Sequence, residues 1–235
     1  MQVIRKFRGL VSEFGFGNAV LYGLGLALRA VCPRVNVYRY YIVAQPVPDN
    51  DLLPARRGKS IIVREMKPGD PAFLSLPLDE KVLAYRFAQN VLCLGAFQED
   101  RVIGCLWMCF EAYEEDEIRC VFRLDPASRT SWDFDVYLHP DARLGFAFLR
   151  LWDEANAILR ARGISWSLSR ISGFNPGSMA SHTRMGATRV GGLIALKGPR
   201  RQLVFSSYAP RFSFRRLDRP LAEYAVSPPR NADIR

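Results

Sequence analysis

Residues Trp132 to Ala187 constrain the fold of this chain more than any other segment. Apolar residues predict a strand at Trp132–Leu138 and, at helical spacing, a helix from Leu144 to Arg162. A second strand follows, and then a short helix that is opened by Asn175-Pro176. A strand that enters a small-residue turn and then a helix presents free backbone N–H groups and the positive end of a helix dipole. The turn Asp141–Ala147 is therefore predicted to bind phosphate.

The rest of the chain predicts further strands around this segment. Apolar, β-rich runs are found at 60–65, 91–97, 102–110, 118–122, 164–171, 190–196 and 202–206. A helix is predicted at 78–90. The order of these elements predicts an α/β fold, with a mixed sheet and helices on its faces. We divide the chain into a helical segment at 1–43, a linker at 44–59, a main domain at 60–206 and a basic, partly disordered tail at 207–235.

The N-terminal segment has the pattern of a basic amphipathic helix followed by an uncharged run. The apolar face consists of Val3, Ile4, Phe7, Leu10, Val11 and Phe14, and the basic face of Arg5, Lys6 and Arg8. The uncharged run at 14–28 is too short and too rich in glycine to span a bilayer. Two interpretations stay open, a helix that packs on the domain and an anchor on an anionic membrane surface through residues 1–31.

Composition narrows the class of partner and the compartment. The formal net charge is +10, which favours acidic partners such as anionic lipid, nucleic acid, an acidic carrier protein or a phosphorylated cofactor. No nucleic-acid recognition motif accompanies the tyrosines and arginines at 34–41, so nucleic acid is not expected. The five cysteines are an odd number in apolar surroundings, which indicates a reduced, cytoplasmic protein without a metal site, peripheral to the inner membrane face if the anchor is used.

Two motifs in this segment resemble those of the GNAT superfamily of CoA-dependent N-acyltransferases, over about residues 60–205. The first is Ala142-Arg143-Leu144-Gly145-Phe146-Ala147, where Gly145 and Ala147 match the family's pyrophosphate turn and Ala142 replaces its Gln or Arg. The second begins at Asn175 and Ser178 and ends at Gly186-Ala187. His182 stands there at the position of the family's tyrosine.

The resemblance implies a fold, a cofactor and roles for particular residues. It implies a mostly antiparallel central sheet flanked by helices, with acetyl-CoA or a longer acyl-CoA as co-substrate and no metal. Residues 143–147 hold the CoA phosphates, with Asn175 and Ser178 at the CoA arm and the backbone N–H groups of Tyr137 and Leu138 at the thioester. His182 protonates the departing thiolate, and the acyl group passes directly to a small-molecule amine in a ternary complex.

Several side chains have a functional interpretation beside a structural one. Asp133 and Asp135 are two apart on a predicted strand and therefore face one side, where they can hold an amine or act as base; the alternative is a pair of solvated charges. His182 is either a general acid or a hydrogen-bonded helix residue. The acidic run 114–117 is interpreted as a solvated loop, with attraction of a cationic acceptor as the alternative. Arg119 and Arg170 are strand charges that need partners.

These patterns support one main function and two alternatives. The main hypothesis is an N-acyltransferase, in the first place an N-acetyltransferase, that transfers an acyl group from acyl-CoA to a primary amine. The first alternative takes the acyl group from acyl carrier protein and makes a lipid-like product, which suits a basic chain with an apolar N-terminus. The second is a membrane-associated binding module in which this fold has lost its activity.

Overall fold

The structure is a computed structural model that describes residues 2–54 and 56–229, with the backbone alone for residues 2–4, 6 and 7. Val3, Ile4, Lys6 and Phe7 of the predicted amphipathic faces, and the end of the tail at 230–235, lie outside the described side chains. The helices are α1 (Gln2–Phe14), α2 (Phe16–Val31), α3 (Glu80–Phe87), α4 (Ala147–Ala161) and α5 (Pro176–Arg184).

The strands account for most of the remaining regular structure. They are β1 (Asn36–Pro46), β2 (Ile62–Glu65), β3 (Val91–Gln98), β4 (Arg101–Phe110), β5 (Ala112–Glu114), β6 (Cys120–Leu124), β7 (Thr130–Leu138), β8 (Trp166–Ser172), β9 (Thr188–Lys197), β10 (Arg201–Ser206), β11 (Phe212–Arg216) and β12 (Ala222–Val226). The fold is α/β, with mostly antiparallel sheet and flanking helices, and the fold class predicted from the sequence is confirmed.

The chain divides into two compact units. The first unit contains residues 1–45, 114–123 and 168–235, and the second contains residues 46–113 and 124–167. In the second unit, β2, β3, β4 and β7 pair in that order, each antiparallel to the next. Helix α4 packs on these strands through an apolar face that includes the buried Leu151, Trp152 and Leu159. The second unit therefore has a helix-on-sheet core of its own.

Aromatic side chains fill the core beneath β7 in the second unit. Trp107 of β4 contacts Phe73, Phe87 and Phe134, with ring centroids 5.2–6.1 Å apart. Tyr113 stacks on both Trp132 and Phe134. Such pairs add roughly 0.5–1.5 kcal/mol each beyond the area that they bury. The strand that leads into the predicted phosphate turn therefore rests on a closely packed base.

In the first unit, the N-terminal strand β1 lies inside the sheet. The strand order there is β11-β10-β9-β1-β8, and β1 is antiparallel to β9 from Asn36↔Lys197 to Ala44↔Thr188. The predicted helical segment 1–43 is therefore wrong in its second part, because the helices end at Val31 and a strand begins at Asn36. The β-rich run Val35–Val43 has the pattern of a strand, although its tyrosines and arginines first suggest a nucleic-acid surface.

The predicted linker and tail also contain ordered structure. In the linker, the Leu52 and Leu53 N–H groups donate to the buried Asp153 carboxylate of α4, at 2.6 and 3.3 Å. Arg160 of α4 donates to the Pro48 carbonyl oxygen at 2.9 Å. In the tail, β11 pairs with β10, and β12 lies beside β6 in a small second sheet. The linker is thus held against α4, which a count of prolines and charges does not reveal.

The β-rich runs at 91–97 and 102–110 form a hairpin, and those at 190–196 and 202–206 are paired strands. Strands β3 and β4 pair through a two-residue connection at Glu99-Asp100, and both of these residues have positive φ, as tight hairpin turns require. Strands β9 and β10 pair from Lys197↔Gln202 to Leu193↔Ser206. Within the described part of the chain, no helix is both long and apolar enough to cross a membrane.

Candidate functional site

Strand β7 carries a bulge at the position of one predicted site residue. Asp135 and Val136 together stand opposite Leu106 of β4, because the pairing passes from Phe134↔Trp107 to Tyr137↔Cys105. Asp135 has a φ of +50°, in the left-handed region that non-glycine residues rarely occupy. A bulge re-aims side chains and leaves backbone groups out of the ladder, and both effects are common beside binding sites.

The bulge separates the surroundings of the two predicted carboxylates. Asp133 is 2% exposed and accepts a hydrogen bond from Ser167 Oγ at 2.7 Å. The Asp135 side chain is 39% exposed and forms an ion pair with Arg86 of α3. The prediction that Asp133 and Asp135 face the same side requires an uninterrupted strand. The bulge interrupts the regular alternation of side chains between the two faces of β7. Asp135 is therefore the carboxylate that solvent reaches, and Asp133 belongs to the core.

Arg86 was not predicted as a site residue. Its guanidinium is largely buried against the aromatic core, 5.1 Å from the Trp107 ring centroid and 5.5 Å from that of Phe134. These contacts leave its charge facing Asp135, so the carboxylate is held at the bulge. The helical spacing of residues 78–90 placed an arginine on the helix, but no sequence signal indicated that this arginine points into the core.

The two predicted thioester donors differ in the direction of their N–H groups. The His139 N–H donates to the Ile103 carbonyl oxygen of the neighbouring strand segment at 2.8 Å. Because alternate residues of a strand direct their N–H groups to the same side, the Tyr137 N–H points towards β4 and the Leu138 N–H points away from it. Gly104, opposite Leu138, allows this close pairing, since a Cβ there would lie 2.7 Å from the Tyr137 carbonyl oxygen. Of the two, Leu138 has the N–H that β4 does not use.

The predicted phosphate turn leads directly into α4. A 3-10 turn at Pro140–Ala142 and a turn at 143–146 connect β7 to the helix, which begins at Ala147 and not at Leu144 as predicted. Among the described residues, no side chain caps this N-terminus. Arg143, Leu144, Gly145 and Phe146 are exposed, and Ala147 is buried. The first N–H groups of α4 thus have no intrahelical partner and no side-chain cap among the described residues, and they follow directly on an exposed turn.

Gly145 is not required by the backbone of this turn. Its φ lies outside the left-handed region, and within the described part of the chain a Cβ built on it meets the Ala142 carbonyl oxygen at 3.5 Å, an ordinary contact. Alanine therefore fits there without strain. What glycine provides is an open surface in front of the first turn of α4, where a ligand can approach the backbone closely.

Arginines surround this open turn, and one of them comes from the predicted linker. The Arg57 guanidinium lies 5.9 Å from the centroid of the Phe146 ring. Gly58, with a φ of +68°, packs against the side chains of Phe146 and Arg150. The Arg143 Nε donates to the Leu138 carbonyl oxygen at 3.3 Å. Arg57 and Arg150 are not among the predicted site residues, because neither the linker at 44–59 nor the helix that carries Arg150 shows a motif that indicates ligand binding at these positions.

In the first unit, the start of α5 is capped by its own sequence, as predicted. The Asn175 Oδ1 accepts from the Ser178 N–H at 3.0 Å, and Pro176 occupies the first turn. Gly186 follows the helix with a φ of +84°. The Oδ1 atom of Asn175 is thus committed to the helix, which leaves its amide nitrogen for the CoA contact that the resemblance implies.

His182 lies inside the first unit. The residue is 5% exposed, and its Nδ1 is 3.1 Å from Oε1 of Gln45 in β1, which is also buried. Since a carbonyl oxygen only accepts, Nδ1 carries the hydrogen in this contact. The geometry fits the alternative interpretation of His182 as a hydrogen-bonded helix residue, and its role as a general acid stays a prediction.

The acidic run 114–117 is an ion-pair network around the buried Glu115 and not the predicted solvated loop. Arg170 of β8 contacts Glu115 at 2.6 Å, Glu117 at 2.9 Å and Asp116 at 3.3 Å. Tyr40 hydrogen bonds to Glu117, and its ring lies beneath the Arg170 guanidinium. Burial raises the pKa of the Glu115 carboxyl to about 7, although Arg170 acts in the opposite direction. The acidic run and Arg170 are both evident in the sequence, but the sequence pattern alone does not show that they pair.

The cysteines and the acidic residues of the described regions do not form a metal site. No group of three or more His, Cys, Asp or Glu side chains there is arranged to hold an ion. All five cysteines are free, and Cys93, Cys105, Cys109 and Cys120 are buried. Burial raises the pKa of the Cys93, Cys109 and Cys120 thiols, so these cysteines pack as small apolar residues.

No family model matches this sequence, and no curated protein matches it. Among solved structures, a functionally unknown conserved protein from Staphylococcus epidermidis is similar, with a TM-score of 0.50 and 8% identity over 73% of this chain and 66% of that one. A putative acetyltransferase of the GNAT family from Novosphingobium aromaticivorans has a TM-score of 0.43 and 15% identity, over 70% and 66% of the two chains. The acetyltransferase AAC(6')-Iy, in complex with a CoA bisubstrate analogue, has a TM-score of 0.40 and 16% identity, over 54% and 89%. At these identities the similarity is one of fold.

Proposed function

We propose that this chain is an acyltransferase that moves an acyl group, in the first place acetyl, from a CoA thioester to a primary amine. The observation that carries the proposal is the open N-terminus of α4 behind the bulged strand β7. A helix start without a side-chain cap, fronted by a glycine that the backbone does not require, is suited to bind phosphate. Its position in the chain is that of the GNAT-like motif at residues 142–147.

Charge supports the same proposal. Arg57, Arg143 and Arg150 lie around or within this start of α4, and their cationic groups complement a pyrophosphate. Charge-assisted hydrogen bonds from arginine to phosphate are about twice as strong as neutral ones. The Arg143 and Gly145 N–H groups donate within the turn, to the carbonyl oxygens of Pro140 and Ala142. The uncapped N–H groups at the start of α4 and the arginine side chains are therefore the donors that we assign to a nucleotide pyrophosphate. Ala142, in place of the family's Gln or Arg, is compensated by arginines from elsewhere in the second unit.

The Leu138 N–H is the donor that we assign to the thioester. It belongs to the last residue of β7 and points away from β4, while the residues before it are fixed by the ladder. A backbone N–H directed at the carbonyl oxygen stabilises the negative charge that develops there when the carbonyl carbon is attacked. The Tyr137 N–H, directed to β4, is not part of this assignment.

We assign Asp135 to the amine. It is the more exposed of the two strand carboxylates, and its ion pair with Arg86 holds it at the bulge, where an ammonium group can reach it. In the transfer, the neutral amine nitrogen attacks the carbonyl carbon, the bond from carbon to sulfur breaks, and CoA leaves as the thiolate. The bound ammonium first releases one proton to solvent, and after the attack the nitrogen passes a second proton to the Asp135 carboxylate, directly or through water. The thiolate takes up one proton from a general acid, for which His182 stays the prediction.

Calorimetric titration with acetyl-CoA, CoA and adenosine tests the phosphate turn directly. We expect CoA and acetyl-CoA to bind with a Kd below 1 mM, roughly −4 kcal/mol or tighter, and adenosine, which lacks the phosphates, to bind at least tenfold more weakly. The absence of binding at millimolar acetyl-CoA contradicts the proposal. Equal binding of adenosine and CoA shows that the phosphates do not contribute.

The length of the acyl group is tested with a donor series. Acetyl-, octanoyl- and palmitoyl-CoA are compared with acyl carrier protein loaded with the same chains, with free thiol as the readout and a panel of polyamines, amino sugars and amino acids as acceptors. The net charge of +10 favours an acidic carrier as a second donor. Turnover with acyl carrier protein alone supports the lipid-like alternative. Binding of CoA without turnover of any donor supports the inactive binding module.

A further inference from the structure

Helix α2 exposes an apolar stripe along its whole length. Phe16, Val20, Leu24, Ala27 and Val31 follow one another at spacings of four, four, three and four residues, so they share one face of the helix. Phe16 is 68% exposed, Val20 44%, Leu24 49% and Val31 87%, and Ala27 is exposed as well. A helix of this length extends about 24 Å. Another side of the helix is held against the first unit, since Ala19 is fully buried.

The anchoring contacts of α2 are specific. The Asn18 Nδ2 donates to the Phe14 carbonyl oxygen at 3.0 Å, to the Tyr41 hydroxyl at 2.9 Å and to the Gly173 carbonyl oxygen at 3.2 Å. Tyr22 packs against Phe14 and Phe174, with ring centroids 5.6 and 5.3 Å apart. The exposed stripe is therefore presented by a helix that is held in place, not by one that lacks tertiary contacts.

The segment that carries this stripe is basic. Residues 1–31 contain four basic residues and one acidic residue, Glu13. Arg5 and Arg8 of α1 are exposed, and so is Arg29, on the face of α2 opposite the stripe. An apolar helix face combined with basic residues on the polar side is the arrangement with which peripheral helices lie on an anionic lipid surface. This charge distinguishes lipid from an apolar protein partner as the occupant.

A cavity of about 360 Å3 opens where the stripe begins, at the junction of α1 and α2. Its apolar walls are formed by Phe14, Phe16, Leu21 and Ile194, and Arg39 and Tyr41 supply its polar lining. Arg39 lies over the Tyr41 ring at 4.6 Å, and Arg189 lies over the same ring at 4.2 Å. The cavity thus combines hydrocarbon walls with two neighbouring positive charges.

The pKa of the Tyr41 phenol is affected by the same positive charges. Burial by itself raises the pKa of this group. Hydrogen bonds with Asn18 and Arg39, and the charges of Arg39 and Arg189, outweigh burial and lower the pKa below its ordinary value. An anionic group that enters the cavity meets the charges that stabilise the phenolate.

We propose that the α2 stripe lies on an anionic membrane and that the cavity at the junction of α1 and α2 receives the phosphate headgroup of one lipid, next to Arg39 and Arg189. Phe16 belongs to both the stripe and the cavity, so the two features form one continuous surface. The inference is independent of the acyl transfer proposed above, because every residue in it belongs to the first unit and none is assigned to the reaction.

Vesicle co-sedimentation of the full chain tests the surface. We expect binding to vesicles that contain phosphatidylglycerol and at least tenfold weaker binding to pure phosphatidylcholine. The double variant Val20→Glu/Leu24→Glu is expected to reduce binding to the anionic vesicles at least fivefold. The control Leu74→Glu makes the same change at a residue of the second unit that is 91% exposed, and it is expected to leave binding unchanged.

Arg189→Gln tests the headgroup cavity, with Arg219→Gln as a control for the loss of one exposed charge. Calorimetry with dihexanoyl-phosphatidylglycerol below its micellar concentration is expected to show at least threefold weaker binding for Arg189→Gln and no change for Arg219→Gln. Inorganic phosphate is the comparison ligand, and tighter binding of phosphate than of the short lipid overturns the lipid assignment.

The proposal is overturned if the chain binds neutral and anionic vesicles equally, or if Val20→Glu/Leu24→Glu binds vesicles as well as the unmodified chain. It is also overturned if the unmodified chain binds no vesicles, forms a dimer in analytical ultracentrifugation, and this dimer dissociates in the double variant. Circular dichroism of each variant establishes that the fold is retained. An unfolded double variant is replaced by Val31→Glu, at the far end of the stripe.

Discussion

The two units of this protein begin comparable helices in opposite ways. In the first unit, α5 starts with a side-chain cap from Asn175 and a proline in its first turn, so its terminal N–H groups are satisfied by local sequence. In the second unit, α4 starts without a side-chain cap among the described residues, behind an exposed turn that contains Gly145. One helix start is complete by itself, and the other leaves donors for a ligand.

The same contrast extends to charged groups. The first unit buries Glu115 against Arg170 and His182 against Gln45, so its polar side chains are used for stability. The second unit leaves Asp135 partly exposed on a bulge with left-handed backbone. We infer that substitutions of Glu115 and Arg170 in the first unit act on stability, and that substitutions at the open turn of the second unit act on ligand affinity. Substitutions in each unit test whether this difference holds.

The largest effect is expected from Arg170→Met in the first unit. The substitution leaves the carboxylate of the fully buried Glu115 without its closest cation, and breaking a buried pair on one side costs about 3–5 kcal/mol. Urea unfolding measures the loss. Arg123→Met is the control, since Arg123 pairs with Glu223 at the surface, where solvent screens the ion pair and its loss is expected to change stability little. Equal losses of unfolding free energy in the two variants contradict the prediction that the buried Arg170 network contributes more to stability than a surface ion pair.

Glu115 is expected to make stability fall as pH rises. Its carboxyl has a pKa of about 7 in the folded protein, against an ordinary value of 4.5. Between these values the folded protein holds a proton that the unfolded chain has lost, so this contribution is complete below pH 4.5 and is lost as pH rises through 7. The loss is roughly 3 kcal/mol at 1.36 kcal/mol per pKa unit.

Glu115→Gln removes this titration and is expected to flatten the profile of unfolding free energy between pH 5 and pH 8. Urea unfolding at four pH values, with both proteins in the same buffers, gives the comparison. A profile of the variant that is as steep as that of the unmodified protein assigns the pH dependence to other groups.

Gly145→Glu addresses the open turn of the second unit. The carboxylate stands where we place the CoA phosphates, so the Kd for CoA is expected to rise at least tenfold, about 1.4 kcal/mol, with stability changed by less than about 0.5 kcal/mol. Gly177→Glu makes the same change in the first turn of α5 and is expected to leave the Kd within twofold.

Gly145→Ala tests the backbone alone and is expected to fold normally, because an added Cβ meets no close atom there. A tenfold loss in the α5 variant also breaks the contrast between the two helix starts.

The smallest effect is expected at the cap of α5. Asn175→Ala removes the acceptor for the Ser178 N–H and is expected to cost about 1 kcal/mol in urea unfolding. Asn175→Asp keeps an oxygen for the cap and is expected to keep stability within about 0.5 kcal/mol. If the amide nitrogen contacts CoA, as the resemblance implies, both variants bind CoA several-fold more weakly. Unchanged affinity in both restricts Asn175 to capping.

The sequence predicted the elements whose causes are local. The α5 cap depends on residues at fixed offsets, and the hairpin at Glu99-Asp100 follows from two apolar runs around a short polar connection. Helix α4 follows from one apolar face, although its first turn begins three residues later than predicted, because Leu144 and Phe146 are exposed in the structure. Spacing along the chain is sufficient information for such elements.

The parts of the candidate site that were missed depend on pairing between distant residues. The bulge at Asp135 exists only relative to β4, and alternation within β7 predicted a shared face for Asp133 and Asp135 instead. Arg86, Arg57 and Gln45 reach their partners through tertiary packing, with no pattern in their own neighbourhoods to indicate it. Burial of Glu115 has the same origin, because a run of four acidic residues is ordinarily solvated.

The position of β1 inside the sheet of the first unit has a consequence for how the chain folds. A ribosome makes β1 early, yet its antiparallel partner β9 lies about 160 residues later. Pairing at such separation closes a long loop and slows folding relative to local hairpins. Until β9 emerges, one edge of a largely buried strand stays open, and open apolar edges invite association with other chains. Strand β1 is therefore a segment that needs protection during synthesis until its partner has been made.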